Sequence, residues 1–321
     1  FILTFLGILF EVYNKALLAI FGAMLMVVFG VLNFQEATAA VDLNTIGLLI
    51  GMMLMVDVVN TSGIFSWMSV KIAKSTRGKP WLIFILFCVI TFLLSTFLNN
   101  VTVILVVLPV ILALTKGIGL EPKIFIISTI FYSIIGGALT LIGDPTNVII
   151  GTKAGLNFND FIINQSLPVF SIFIVTMLVF MLMNWHALKP ISGNLKQLFL
   201  SNLLIKKIEH QFAEQEISKP FVTRIIVVFS LVMLGFIFGE QLHLNASVVA
   251  LTGGMVLFLI TSKNSAISES LPKIEWTTLF FFSGLFILVA GLEKVGFLEI
   301  IGHQIVGVTD NYLYLLLFLL W

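Results

Sequence analysis

The chain has 321 residues, of which 59% are hydrophobic and 10% charged, with a net charge of +1 and a mean hydropathy of +1.14. Soluble domains carry roughly 25% charged residues, so the composition excludes a soluble globular domain and offers no basic surface for nucleic acid. The single cysteine, Cys88, lies in an apolar run and excludes an intrachain disulfide framework or a multi-cysteine metal site.

In chain order, apolar runs predict helices spanning a bilayer at about 1–12, 15–33 and 44–60. The stretch 62–80 is amphipathic and basic, as a helix lying in the interface would be. Two apolar arms, 81–98 and 103–115, then enclose the octet "STFLNNVT" at 95–102, which sets Ser95, Thr96, Asn99, Asn100 and Thr102 in hydrocarbon surroundings. The second arm reaches only about 20 Å at the helical rise, against a hydrocarbon core of about 30 Å, so a re-entrant hairpin over 81–115 is expected. The next span, 122–151, is interrupted within "GGALTLIGDPTNVII" (136–150). There Pro145 lacks an amide hydrogen and the glycines loosen the helix, freeing backbone groups at membrane depth. Such groups are tolerated only inside protein or along a wet cavity. Further spans follow at 165–187, 220–239, 245–262 and 275–291, with a last one entered near Tyr312. Residues 189–219 form the one sizeable polar linker.

The basic residues test this layout. With the N-terminus outside, 15 of the 17 lysines and arginines fall on one side, leaving Lys153 and Lys294 on the other. That is the bias of a multi-pass protein of the plasma (inner) membrane whose basic face is cytoplasmic, and the hairpin then enters from the cytoplasm.

The chain also repeats weakly. "NKALLAIFGAM" from Asn14 resembles "NASVVALTGGM" from Asn245, and "VDLNTIGLLIGMMLMVDVVNTSGIF" from Val41 resembles "IEWTTLFFFSGLFILVAGLEKVGFL" from Ile274, with Thr45/Thr278, Gly51/Gly284 and Gly63/Gly296 in register. Five crossings separate the copies, so the second lies inverted. The expected fold is an all-α integral membrane protein with inverted repeats, the architecture of secondary transporters. Residues 1–188 make the first repeat: scaffold helices (1–60), the interfacial helix, the hairpin, the broken helix and span 165–187. Residues 189–219 are a cytoplasmic linker, and 220–321 start the second repeat. The partner of Asn99 would fall beyond Trp321, and Phe1 is no initiator methionine, so the sequence reads as cut at both ends.

The candidate site joins the two interruptions: Ser95, Asn99, Asn100 and Thr102 from the hairpin, and Thr140, Gly143, Asp144, Thr146 and Asn147 from the broken helix. Hydroxyl, carboxamide and carbonyl oxygens suit a hard cation, with Ser95, Asn99, Asn100 and Gly143 as sodium ligands. Helix N-termini suit an anion. The expected coupling ion is sodium or a proton, and no other cofactor is called for. The plainer readings are helix-bridging hydrogen bonds for the Asn and Ser residues, and a helix cap for Asp144.

"STFLNNVT" followed by "GGALTLIGDPTNVII" resembles the first half of the ion transporter superfamily, nearest its branch of arsenite permeases, NhaD-type sodium–proton antiporters and the pink-eyed dilution P protein, a group with citrate transporter-like domains. The resemblance implies a homodimer in which a scaffold domain holds a mobile transport domain, working by an elevator-like motion. More distant symporter relatives carry a Ser-Asn-Thr signature at each hairpin tip, binding sodium and a substrate carboxylate; the triplet here is Asn99, Asn100, Val101. Gly143 matches a glycine whose carbonyl serves the sodium site, and Asp144 replaces a neutral residue. The implied activity is ion-coupled transport of a small ion or anion, with sodium–proton antiport and arsenite efflux as alternatives, and not an enzymatic one. A remote alternative is an intramembrane aspartyl protease using Asp57 and Asp144. Its Gly-x-Gly-Asp form is not present, because position 141 is leucine.

Overall fold

A computed structural model describes residues 1–11, 13–61, 76, 79–118, 120–185, 188, 219–239, 241–261, 274–297 and 299–300, and among these every regular element is helical. The helices are α1 (Ile2–Leu9), α2 (Lys15–Val28), α3 (Phe34–Ala40), α4 (Leu43–Thr61), α5 (Pro80–Ser95), α6 (Asn100–Ile118), α7 (Lys123–Gly137), α8 (Pro145–Ala154), α9 (Phe158–Met183), α10 (Lys219–Phe238), α11 (Ala246–Thr261) and α12 (Trp276–Lys294). The expected interfacial helix at 62–80, the linker at 189–219 and the last span near Tyr312 lie, apart from single residues and helix ends, outside the described residues.

Two predicted spans change shape. The run 15–33 ends as a helix at Val28, and the segment after it, expected to be a loop, contains α3. A capping box starts that helix: Glu36 N–H donates to Asn33 Oδ1 at 2.7 Å and Asn33 N–H donates to Glu36 Oε2 at 2.8 Å. Asn-x-x-Glu was a readable start signal. α3 and α4 together are apolar enough for one crossing, bent by 48° at their junction. The second hairpin arm is also longer than expected, at 19 residues or about 28 Å, because the helix takes in residues 100–102 at its start and 116–118 at its end.

Among the described residues, α9 and α12 alone are each long and apolar enough to cross a bilayer, while α2, α5, α7, α10 and α11 are shorter apolar helices. α9 turns most of its surface outward, with Leu167 80% and Leu182 73% exposed. So much outward-facing hydrocarbon marks a membrane protein.

The chain divides into two compact units, Phe1–Ile46 with the chain from Glu275 onward, and Gly47–Ile274. In the first unit α2 packs along α12. Asn14 starts α2 by accepting from Ala16 N–H at 2.9 Å, and Ala16, Ala19, Gly22 and Ala23 form its buried small face. A β-carbon built on Gly284 of α12 would stand 2.6 Å from the Ala19 carbonyl carbon, so the two backbones touch. In the second unit a β-carbon on Gly51 of α4 would stand 2.4 Å from the Ala250 carbonyl carbon of α11. The same unit packs α5 on α7, α6 on α5 and α7, and α10 on α11. Phe92, Phe173 and Tyr132 fill the space between α5, α7 and α9, with ring centroids 4.6 and 5.2 Å apart.

Candidate functional site

All nine predicted site residues lie in the second unit, where the α5–α6 tip meets the break between α7 and α8. α5 ends at Ser95 and α6 begins at Asn100, leaving Thr96–Asn99 as the tip. Asn99 caps α6, accepting from Val101 N–H at 2.9 Å. This commits its carboxamide oxygen to the backbone and favours a structural role for it. Thr102 sits half-buried in the first turn of α6 and takes no part in the contacts that follow.

The approach of tip and break depends on missing side chains. A β-carbon on Gly136 would stand 2.3 Å from the Phe92 carbonyl oxygen, one on Gly137 2.3 Å from Asn100 Oδ1, and one on Gly143 2.8 Å from the Ser95 carbonyl oxygen. Gly136, Gly137 and the Ser133 carbonyl contribute to the site although the sequence reading did not single them out. The spacing of Ser133, Gly136 and Gly137 at i, i+3 and i+4, one face of a helix, was the available signal.

The break is braced from within. Asn147 Nδ2 donates to the carbonyls of Gly137 at 3.0 Å and Thr140 at 2.9 Å, supplying partners to groups that the end of α7 leaves open. The Thr140 hydroxyl donates to the Thr96 carbonyl, tying the break to the tip, and accepts from Gly143 N–H at 3.1 Å. α8 starts with Asp144 as N-cap in an extended conformation and Pro145 in its first turn, where a missing N–H costs nothing. Asp144 Oδ1 accepts from Thr146 N–H at 2.9 Å and from Thr146 Oγ1 at 2.5 Å. The plainer cap reading of Asp144 is thus correct, and it is incomplete, because the second carboxylate oxygen accepts from Asn100 Nδ2 at 2.7 Å. Asn100 Oδ1 in turn lies 2.7 Å from Ser95 Oγ, and Ser95 Oγ lies 2.5 Å from the Ser133 carbonyl.

Ser95, Asn100 and Asp144 therefore form one chain of polar contacts linking α5, α6, α7 and α8, with Ser95 fully buried. The N-termini of α6 and α8 converge on it; at α8 Pro145 has no N–H and the amides of Thr146 and Asn147 are bonded to Asp144, so that helix end already holds its negative charge in the Asp144 carboxylate. Oxygens of three side chains face one another there, the chemistry a hard cation or a proton meets. Among the described residues no three His, Cys, Asp or Glu side chains cluster as metal ligands.

An apolar helical chain whose two polar interruptions meet in one cluster marks a membrane protein of the transporter class. The chain belongs to the citrate transporter family of the ion transporter superfamily, which it matches over residues 5–321. It is 32% identical over 300 residues to an uncharacterized transporter of Mycobacterium tuberculosis, covering 92% of this chain and 67% of that protein. It is 31% identical to a 46 kDa membrane protein of Mycobacterium leprae, covering 97% of this chain and 71% of the relative. The P protein of Mus musculus is 27% identical, covering 92% of this chain and 44% of its own length.

Proposed function

We propose that the protein is an ion-coupled secondary transporter that moves a small anion across the plasma membrane, driven by sodium or protons, with Asp144 as the coupling group. The observation that carries this reading is the bridge from Asp144 Oδ2 through Asn100 to the buried Ser95. A mere N-cap needs one oxygen at the helix end; Asp144 uses its other oxygen to join two interrupted segments. A carboxylate at membrane depth calls for a neutralising partner, so a proton or a bound cation serves it during the cycle. Proton and sodium then compete for one group, while an anion would meet the positive end of α6. The family's name makes citrate the first anion to test. The same competition without an anion would be sodium–proton antiport.

The inverted-repeat reading draws support from matching local contacts. Thr45 Oγ1 donates to Asp42 Oδ2 at 2.7 Å at the start of α4, and Thr278 Oγ1 donates to Glu275 Oε2 at 3.0 Å at the start of α12. The protease alternative loses ground, since both oxygens of Asp144 meet Asn100 and Thr146 and not a second carboxylate.

The test is citrate uptake by the full-length protein in proteoliposomes under imposed sodium or proton gradients, compared with Asp144→Asn. The near-isosteric variant should remain folded and lose the dependence of flux on pH. An unchanged pH profile would reduce Asp144 to a cap and place coupling elsewhere.

A further inference from the structure

The hairpin tip is held on two sides by contacts of different kinds. Towards the break between α7 and α8 the ties are polar: the Thr140 hydroxyl donates to the Thr96 carbonyl, and Asn100 bridges to Asp144. Towards α10 the tie is a pair of rings. Phe97 meets Phe229 edge to face, with centroids 6.1 Å apart and planes inclined by 85°.

The two rings are less enclosed than their neighbours. Thr96 and Leu98, on either side of Phe97, are 2% and 3% exposed; Ile225 and Val232, one turn before and after Phe229 on the same face of α10, are 1% and 6% exposed. Phe97 and Phe229 themselves are only half-buried. A ring contact open at its edge has fewer partner atoms than the packing around it, so it separates more readily.

The helices behind the two rings have different partners. The hairpin arms pack on each other and on α7, whereas α10 packs on α11 and α9. α10 is fixed to α9 near its end: Phe236 stacks on Phe158 with centroids 5.5 Å apart, and the Ile237 carbonyl accepts from Asn159 Nδ2 at 2.7 Å. Phe229 lies seven residues before Phe236, two turns or about 10 Å along the same face. The anchor at Phe236 is reinforced by a hydrogen bond, while two phenylalanine rings part without leaving a donor or acceptor unpaired. Unpaired polar groups are what membrane depth penalises, so the α10 side of the tip is the side that opens at least cost.

The tip itself is one tight turn. Phe97 and Leu98 both donate N–H to the Leu94 carbonyl, at 3.1 and 2.9 Å, and Asn99 caps α6 immediately afterwards. Such a turn moves as a unit, with its polar ties to the break as the pivot.

We propose that Phe97 and Phe229 form an aromatic latch on the site: when the rings part, the tip leaves α10, and water and the transported ion enter along α10 to the Ser95–Asn100–Asp144 cluster. The proposal rests on the reading of that cluster as the transport site and adds the contact that controls entry to it. An apolar latch suits the task, because closing it excludes water from a polar cluster and opening it exchanges no hydrogen bond.

The experiment measures the rate at which a sulfonated maleimide reacts with Thr96→Cys in the full-length protein in lipid nanodiscs, which leave both faces open to the reagent. Thr96 is 2% exposed, so its reaction reports opening of the tip. Cys88, equally buried in the body of α5, is the native control. Phe229→Ala should raise the rate at position 96 about fivefold, which corresponds to about 1 kcal/mol of lost ring contact, and leave Cys88 unreactive. Phe97→Ala should do the same, and the two together should exceed neither alone, because they remove one shared contact. In the opposite sense, joining Phe97→Cys to Phe229→Cys with a short bismaleimide should stop ion flux in proteoliposomes. A rate at position 96 that Phe229→Ala leaves unchanged overturns the latch, as do additive effects of the two variants. Reaction of Cys88 in step with position 96 overturns it too, since the whole hairpin and not its tip has then loosened. A latch that opens as expected in a protein carrying no citrate, sodium or proton flux would sink the transport reading alone.

Discussion

The two glycine-on-alanine seams occupy equivalent places in the two sequence repeats, and their differences are informative. In the first unit Gly284 of α12 lies on Ala19 of α2; in the second unit Gly51 of α4 lies on Ala250 of α11. Ala19 and Ala250 correspond in the repeat and both have 0% exposure. A bare peptide face at the contact is what the two seams share. They diverge a single helical turn later. At the place of Ala23 in α2, α11 has Gly254, whose β-carbon would stand 2.8 Å from the Gly51 carbonyl oxygen. The seam of the second unit, which also holds the candidate site, is built with less side chain between its backbones. Without a hydrophobic drive between helices in lipid, such close small-residue contact is a main source of association.

The largest expected effect breaks this correspondence directly. Gly51→Ala and Gly284→Ala each place a methyl group against backbone that cannot rotate away, so both should lower stability by about 1–3 kcal/mol or more. Thermal unfolding of the full-length protein in detergent, followed by size-exclusion, measures it. If only one variant is destabilised, the two seams are not equivalent and the resemblance between the copies is confined to sequence.

This pairing shows what the sequence could and could not convey. Helices α4, α7 and α10–α12 were legible because long apolar runs and their glycine or proline stops are local signals. The two interruptions were legible because "STFLNNVT" and "GGALTLIGDPTNVII" place polar groups where hydrocarbon belongs. The helix α3 was missed, because alanine-rich "FQEATAA" has neither strong hydropathy nor clear periodicity and its capping box was the only cue. Which residues of the two interruptions would touch was not legible either. The meeting of Asn100 with Asp144, 44 positions apart, depends on Gly136, Gly137 and Gly143 letting backbones approach, a property of packing between helices. Asn99 and Asn100 were indistinguishable in sequence, yet one caps a helix and the other bridges to the carboxylate.

A smaller effect sharpens the comparison at the helix starts. The threonine-to-carboxylate bonds of α4 and α12 are alike in sequence position but differ in burial: Thr45 is fully buried, Thr278 only half so. A hydrogen bond to a charged group contributes about 1.5–3 kcal/mol when shielded and less when water competes. Thr45→Val should therefore cost more stability than Thr278→Val, by about 1 kcal/mol in the same unfolding assay. Equal costs would mean that the two helix starts are in equivalent surroundings.

The smallest effect concerns a contact that, among the described residues, the first unit alone shows at its seam. Lys294, at the end of α12, places Nζ 2.6 and 2.7 Å from the two carboxylate oxygens of Glu36 on α3. The geometry suggests a clasp that would make the α2–α12 seam stronger than its counterpart. Its exposure argues otherwise, since the two side chains are 46% and 39% accessible. Water and salt screen such a pair, and holding two long side chains in register offsets much of the remaining attraction. Glu36 also has a second task, closing the capping box with Asn33, and that bond persists when the lysine is gone. Lys294→Met keeps the length and apolar stem of the side chain and removes only its charge. At physiological salt this variant should unfold at the wild-type temperature, within the scatter of the measurement, and remain so when salt is raised. A clear fall in the unfolding temperature that high salt abolishes would show that the ion pair, and not the glycine contact alone, holds this seam, and the two seams would then differ in kind.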